Sequence, residues 1–221
     1  MVQKKSEAAE SDAAERPRRG RPRQYDSDQA LAKAAETFWK NGYAATSLDD
    51  LAAATGMNRP SLYAAFGDKR ELYIKTLERY QNRSRSKSIE LLSDSKSLRE
   101  FLTRFYDGAL DIYRAGGDDA RGCYSISTAP AQATVDVGVK TFLKDSIRGT
   151  DAFLADVIGK ARKRGEVAAG VDDAALAQIA TAALHTIAVR ARVGAPRKQL
   201  KALAATAIDL ICGPAQPQAA P

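Results

Sequence analysis

Hydrophobic residues recur at the three- and four-residue spacing of α-helices from about residue 26 to residue 212, and this period constrains the fold more than any other feature. Stretches that alternate apolar and polar residues, as half-buried β-strands do, are missing from the same part of the sequence. Hydrophobic residues make up 44% of the 221 residues, which is enough for a sizeable buried core. We therefore predict an all-α chain.

Capping residues, glycines and prolines divide this period into nine predicted helices. Asp68 is followed three residues later by Glu71, which is the spacing of a capping box at a helix start. Pro196 suits the first turn of the last helix. N–H groups in that turn have no acceptor within the helix, so the N–H that proline lacks costs no hydrogen bond there. The predicted helices span about residues 26–42, 47–55, 58–66, 68–88, 96–115, 121–132, 136–164, 172–193 and 196–212.

The residue counts exclude several classes of protein. The only sulfur and imidazole ligands for a metal site are Cys123, Cys212 and His185, apart from two methionines, so we expect neither a disulfide framework nor a metal site. The sequence has no glycine-rich phosphate loop and no nucleophile with a histidine to orient it, so we predict neither an enzyme nor a cofactor. No apolar run reaches the length of a membrane span, and the charged start lacks the apolar core of a signal peptide. We expect a cytoplasmic protein without a membrane partner.

Positive charge is concentrated in the sequence RPRRGRPR at residues 16–23, which holds five arginines and no acid. Proline, glycine and the lack of apolar residues predict that residues 1–23 are disordered in isolation. The segment is either a solvated tail or an arm that follows DNA phosphates. Arg19 and Arg21 lie in an Arg-Gly-Arg-Pro sequence that resembles the core of an AT-hook, which implies contacts in a narrow minor groove.

Residues 46–66 have the pattern of a helix-turn-helix, with two short helices on either side of a three-residue turn. Gly56 supplies the backbone freedom that the turn needs, and the small side chains of Ala52 and Ala53 let the two helices approach closely. In helix-turn-helix proteins the start of the second helix enters the major groove of DNA. The segment therefore predicts binding to double-stranded DNA.

Residues 26–80 resemble the DNA-binding domain of the TetR/AcrR family of transcriptional regulators. Three stretches carry the resemblance: FWKNGYAATSLDDLA, ATGMNRPSLYAAFGDK and RELYIKTLERY. Pro60 departs from the family pattern, in which a small residue is common, and it removes one backbone donor early in its helix. The resemblance implies an N-terminal three-helix DNA-binding domain, followed by a C-terminal helical domain for ligand binding and dimerisation.

The resemblance also implies individual DNA contacts. Arg59 and Ser61 are expected to read base edges, and Arg59 suits the two acceptors of guanine. Thr46, at the cap of the second helix, is expected to contact phosphate, as are Tyr63 and Lys69, the lysine being assisted by a helix N-terminus. As alternatives, Thr46 serves only as a cap and Tyr63 packs against its own domain.

The family's larger domain holds a small-molecule cavity and dimerises through its last two long helices. The residues here that suit these roles also suit an ordinary helical core, so both interpretations stay open. The candidate cavity residues are Phe101, Phe105, Tyr106, Tyr113, Cys123, Tyr124 and Phe142. The candidate dimerisation residues are Leu176, Ile179, Ala183, Leu184, Leu203, Ala207 and Leu210.

Cys123 follows Arg121 and Gly122 at the predicted start of a helix. Thiols beside an arginine at a helix start are often reactive, and some members of the family resemble this chain in having a Gly-Cys pair there. Cys123 is therefore a candidate sensor of electrophiles or oxidants. The alternative is a small apolar residue that only fills the core.

Together these patterns predict a homodimeric repressor that binds a palindromic operator and is released by a small-molecule or thiol-reactive effector. A transcriptional activator and a ligand-independent architectural DNA-binding protein are the alternatives. The predicted divisions are a disordered basic arm (1–23), the helix-turn-helix domain (24–70), the ligand-binding and dimerisation domain (71–212) and a disordered tail (213–221).

Overall fold

The computed structural model describes residues 26–115, 121–167 and 170–214. Within these ranges the chain forms nine α-helices and no strands, which confirms the predicted all-α fold. The predicted limits agree to within three residues, except that α4 ends at residue 93 instead of about 88. The helices are α1 (Ser27–Asn41), α2 (Leu48–Thr55), α3 (Arg59–Phe66), α4 (Lys69–Ser93), α5 (Leu98–Tyr113), α6 (Tyr124–Gln132), α7 (Val137–Arg162), α8 (Asp173–Arg192) and α9 (Arg197–Cys212).

Polar caps determine where most of these helices begin. Seven of the nine start after a serine, asparagine or aspartate whose side chain accepts a hydrogen bond from the first turn. Ser47 and Asp68 form complete capping boxes with Asp50 and Glu71. Replacing such a cap by alanine costs about 1 kcal/mol, so the local sequence strongly favours these starting points.

The first of two hydrophobic cores lies among α1, α2, α3 and α4. Phe38, Leu62 and Tyr73 are fully buried in it, and the ring centres of Phe38 and Tyr73 are 5.0 Å apart. Tyr124 of α6 and Val139 of α7 belong to the same cluster. The helix-turn-helix thus packs directly on the following helices, and its core continues beyond residue 70.

The second core lies among α5, α7, α8 and α9. Leu102, Leu110, Leu154 and Ile187 are fully buried in it. Helix α4 connects the two cores, because its first half lies in the first and Leu91 near its end packs against the second. One continuous helix therefore joins the helix-turn-helix to the larger helical part.

Among the described residues, α8 is the one helix that is long and apolar enough to cross a membrane, judged by length and composition alone. Core helices commonly have the same composition, and seven residues of α8 are buried against the rest of the protein. Part of its outer face is also apolar, since Ile179 and Val189 are exposed there.

Candidate nucleic-acid interface and cavity

The helix-turn-helix is formed by α2, a turn at residues 56–58 and α3. Gly56 has a left-handed backbone with φ 72°, and its N–H donates to the carbonyl of Ala52 at 3.0 Å. Asn58 caps α3 by accepting a hydrogen bond from the Ser61 N–H at 2.9 Å. Residues 58–60 are exposed, so the start of α3 projects from the surface.

Arg59 is the first residue of α3, and its guanidinium is held by Asp49 of α2. Its Nε donates to Asp49 Oδ1 at 2.8 Å, and its Nη2 donates to Asp49 Oδ2 at 2.5 Å. The hydrogen bonds raise the pKa of Arg59 and lower that of Asp49. The two side chains remain 54% and 72% exposed, so the pair lies in solvent at the start of both helices.

Two further predicted contact residues lie on α3. Tyr63 is one helical turn after Arg59 on the same face, and it is 47% exposed, so it does not pack into the core. Ser61 is half-buried, and its backbone N–H is bound by the cap at Asn58. Both side chains lie beside the exposed start of the helix.

Lys69 begins α4, and its ammonium lies 4.4 Å from the centre of the Tyr43 ring. Burial lowers the pKa of Lys69, while the carboxylate of Asp50 at the start of α2 acts in the opposite direction. The amino-terminal ends of α2, α3 and α4 thus lie close together. We refer to the surface that Ser47, Asp49, Arg59, Tyr63 and Lys69 form as the α2–α4 surface.

Thr46 differs from the sequence-based expectation. It is only 1% exposed, and its hydroxyl donates to the carbonyl of Gly42 at 2.7 Å. The cap of α2 is Ser47, which is exposed and accepts a hydrogen bond from the N–H of Asp50. The Thr46 hydroxyl is therefore occupied inside the protein and is not available to a phosphate, whereas Ser47 is on the surface.

The α2–α4 surface combines three helix starts with two cationic side chains. Each helix start carries a partial positive charge and backbone N–H groups that favour an anion. Arg59 and Tyr63 on α3 supply hydrogen-bond donors on side chains of different length. Such an arrangement suits a polyanion that carries readable base edges. Arg19 and Arg21 lie outside the described residues.

A cavity of about 940 Å³ lies between α4, α5, α6, α7 and α8, within the larger helical part. Four predicted residues line it: Phe105, Tyr113, Cys123 and Phe142. The cavity is also lined by Tyr80, Phe153 and His185, which were not predicted from the sequence, and by Leu184, which was predicted to lie at the dimer interface.

The other three predicted cavity residues do not line it, because they are packed in the cores. Phe101 is fully buried in the second core. Tyr106 donates its hydroxyl to the carbonyl of Ala180 at 2.9 Å. Tyr124 lies in the first core with its hydroxyl 2.8 Å from that of Thr76. Helical spacing alone did not distinguish the cavity wall from the core behind it.

Cys123 precedes α6 at the inner wall of the cavity, and 7% of it is exposed. The Tyr80 hydroxyl donates to its sulfur at 3.5 Å, and the Ser125 hydroxyl lies 3.3 Å from the same atom. Burial raises the pKa values of Tyr80 and Tyr113 well above that of free tyrosine, so both phenols stay protonated. Among the described residues, no three His, Cys, Asp or Glu side chains form a group that could hold a metal ion.

The segment before Cys123 is fixed to both parts of the protein. The carbonyl of Arg121 accepts hydrogen bonds from Trp39 Nε1 of α1 at 3.2 Å and from Arg192 Nη1 of α8 at 3.0 Å. The Arg121 side chain pairs with Glu36 of α1. Gly122 has φ 65°, and a Cβ there would lie 2.5 Å from a backbone carbonyl of α8. This segment therefore links the cavity wall to α1.

Helices α8 and α9 expose apolar side chains on the outside of the protein. Ile179 is 40% exposed and Leu210 is 59% exposed. Of the other predicted dimerisation residues, Leu176 and Ala207 are buried in the protomer's own core. The remaining three, Ala183, Leu184 and Leu203, are half-buried.

The family model described as bacterial regulatory proteins, tetR family, matches residues 30–76. The HTH-type transcriptional repressor ComR of Escherichia coli (strain K12) is 31% identical over 193 residues, which cover 87% of this chain and 91% of ComR. The HTH-type transcriptional repressor BdcR of the same strain is 27% identical over 192 residues, covering 87% of this chain and 92% of BdcR.

Among solved structures, the chain is similar to a cysteine mutant of CifR, a TetR family transcriptional regulator complexed with 26-base-pair double-strand operator DNA. The TM-score is 0.75 and the sequence identity is 27%, with 87% of this chain and 100% of that chain covered. The similarity thus extends over both the helix-turn-helix and the larger helical part.

Proposed function

Since the chain belongs to the tetR family of bacterial regulatory proteins and is a DNA-binding transcriptional regulator, we propose that it is a homodimeric repressor of a palindromic operator. We further propose that a small-molecule or thiol-reactive effector releases it from DNA. The proposed role is binding alone, in the cytoplasm, without an enzymatic step. ComR and BdcR, which match most of the chain, are both named repressors, and this favours repression over activation.

The α2–α4 surface carries the proposal. It exposes Arg59 and Tyr63 at the start of α3, the part of a helix-turn-helix that enters the major groove. Lys69 and the helix start behind it suit a phosphate on the flanking backbone. We therefore assign base reading to Arg59 and Ser61, and phosphate contacts to Tyr63, Lys69 and the exposed Ser47.

We propose that residues 24–70 form the DNA-binding domain and residues 71–212 the effector and dimerisation domain. The two hydrophobic cores support a division of this kind, although α4 contributes to both. A rigid helix common to both domains gives the effector domain a direct means of moving the helix-turn-helix. The arm at residues 1–23 is assigned to DNA phosphates and the minor groove, and residues 213–221 to a tail.

A homodimer is proposed through α8 and α9. Their outer faces expose Ile179 and Leu210, which a second copy of the same faces would bury. A two-fold dimer presents two copies of α3 to DNA, and the operator is then a palindrome with half-sites about one helical turn or a multiple of it apart. An architectural protein would not need the cavity or this face.

The effector is assigned to the central cavity. Its volume of about 940 Å³ and its aromatic wall suit a molecule of moderate size that is largely apolar. Cys123 on that wall is joined to α1 through the hydrogen bonds of Arg121, so a bound or attached molecule would disturb the contacts of Trp39. The effector must prefer the state that binds DNA poorly, because otherwise it would shift no equilibrium.

A thiol-reactive effector is tested by comparing Cys123→Ser with Cys212→Ser. Cys212 is the matched control, since it is the other cysteine and is half-buried in α9 away from the cavity lining. After treatment with N-ethylmaleimide, we expect the natural sequence and Cys212→Ser to release operator DNA, and Cys123→Ser to keep it. Fluorescence anisotropy measures release, and mass spectrometry counts the attached groups. Release of Cys123→Ser to the same extent as the natural sequence would exclude Cys123 as the sensor, and retention of DNA by all three proteins would leave a reversible ligand as the effector.

Deletion of residues 1–23 tests the arm. If the five arginines of each arm contact phosphates, the slope of log Kd against log salt should become shallower by about four to five per protomer. Affinity at low salt should fall more than affinity at high salt. Replacing the same five arginines by glutamine in the full chain separates charge from length. An unchanged slope in both variants would identify the segment as a passive tail.

A further inference from the structure

The ion pair between Asp49 and Arg59 places a carboxylate on the surface assigned to DNA. A negative charge there repels phosphates, so it is unfavourable for non-specific binding. Asp49 is not needed as a cap, because Ser47 and Asp50 already complete the capping box of α2. An exposed ion pair also contributes little to folding stability. The position of Asp49 is therefore better explained by what it does to Arg59.

The geometry of the pair leaves one edge of the guanidinium free of Asp49. Asp49 accepts from Nε at 2.8 Å and from Nη2 at 2.5 Å, which together form the side edge of the group. A guanidinium has five N–H bonds, and this arrangement uses two of them. Of the three that remain, one on Nη1 and one on the outer side of Nη2 form the end edge, and the second N–H of Nη1 points back toward Cδ. Two parallel N–H bonds on that edge match the O6 and N7 acceptors of guanine.

We infer that Asp49 is a specificity-determining residue, which positions Arg59 so that its end edge reads guanine. This inference rests on the proposed function, in which Arg59 contacts a base. Without Asp49, the flexible side chain of Arg59 would be free to reach phosphates or other acceptors. Asp49 thus lowers affinity for any DNA while raising the preference for guanine at one position of each half-site.

The matched control is Asp28, which pairs with Arg79 in the same side-on geometry. Arg79 donates from Nε and Nη2 to the two oxygens of Asp28 at 2.7 Å each. That pair joins α1 to α4 and lies outside the α2–α4 surface. Asp49→Asn and Asp28→Asn therefore change the same charge and the same kind of contact at two different places.

The experiment first selects bound sequences from random DNA with the unaltered protein. The Kd is then measured by fluorescence anisotropy for the selected site, for each single base-pair change in it and for unrelated DNA. For Asp49→Asn we expect a several-fold tighter binding to unrelated DNA and a roughly tenfold smaller preference at one guanine per half-site, with the other positions unchanged. For Asp28→Asn we expect the profile of the unaltered protein.

A double-mutant cycle tests whether Asp49 acts through Arg59. In the background of Arg59→Ala, Asp49→Asn should leave the base preference unchanged. The inference would be overturned if Asp49→Asn left the base preference unchanged at every position of the site, or changed it equally at all positions. The proposed function would stand in either case. An unaltered protein that selects no common sequence would overturn both. Circular dichroism of each variant shows whether it is folded.

Discussion

Replacing Leu210 by aspartate is expected to convert the protein to a monomer and to weaken operator binding by about a hundred- to ten-thousandfold. Leu210 is 59% exposed in the protomer, so the substitution leaves both cores intact. In a dimer through α8 and α9 it would bury an unpaired charge in an apolar interface. A monomer loses the avidity that two linked DNA-binding domains provide, which is about a hundred- to ten-thousandfold in affinity.

Analytical ultracentrifugation and anisotropy with operator DNA measure the two effects. Ile179→Asp on α8 is expected to act in the same way, since Ile179 is also exposed. Ile89→Asp is the matched control, because Ile89 is half-exposed on α4 and lies outside the proposed interface. A Leu210→Asp protein that stays dimeric, with unchanged affinity, would show that the dimer uses another face.

Replacing Arg59 by alanine is expected to weaken binding to the operator by roughly ten- to a hundredfold for each half-site, while binding to unrelated DNA falls only slightly. The reason is that base contacts carry sequence preference, whereas phosphate contacts carry most of the general affinity. The substitution also leaves the carboxylate of Asp49 unpaired on the α2–α4 surface, which adds repulsion toward any DNA.

Arg59→Lys separates charge from geometry. Lysine keeps the positive charge but lacks the planar fork that binds two acceptors at once. We expect Arg59→Lys to retain binding to unrelated DNA and to lose most of the sequence preference. Arg148→Ala is the control for removal of a charge, because Arg148 is exposed on α7 far along the chain from the helix-turn-helix. If both Arg59 variants lost affinity equally for operator and unrelated DNA, Arg59 would not be a residue that reads bases.

The fold was largely predictable because its determinants are local. Caps such as Asp26, Asn58 and Asp172 accept hydrogen bonds from the helix that follows them, so a short stretch of sequence is enough to identify each start. The end of α4 was harder to predict. Its last turns are rich in serine, arginine and lysine, and they are held helical by Leu91 and Leu92, which pack against the second core.

The candidate sites were less predictable because they depend on contacts between distant residues. Thr46 and Ser47 are both good caps, and only the packing shows that the hydroxyl of Thr46 turns inward to Gly42. Asp49 and Arg59 are ten residues apart on different helices, so neither helical period nor capping rules connect them. The other DNA contacts assigned from the sequence remain predictions, as does effector binding by the four predicted residues that line the cavity.

The segment around Arg121 also depends on contacts between residues that are distant in the sequence. The Arg121 carbonyl accepts hydrogen bonds from Trp39, which is 82 residues earlier in the chain, and from Arg192, which is 71 residues later. The sequence near Arg121 indicated a helix start and a reactive thiol. It gave no indication that this short segment joins the cavity wall to α1 and α8.

The most direct test of a specific, effector-controlled regulator is selection of bound fragments from genomic DNA by the purified full-length protein, with and without thiol-reactive treatment. We predict a small set of fragments that share a palindrome, with half-sites spaced by about one DNA turn or a multiple of it. If the effector is thiol-reactive, we expect treatment to remove these fragments and a thiol reductant to restore them when the modification is reversible. Fragments that share only A·T richness, and that treatment leaves bound, would contradict the account and identify an architectural DNA-binding protein instead.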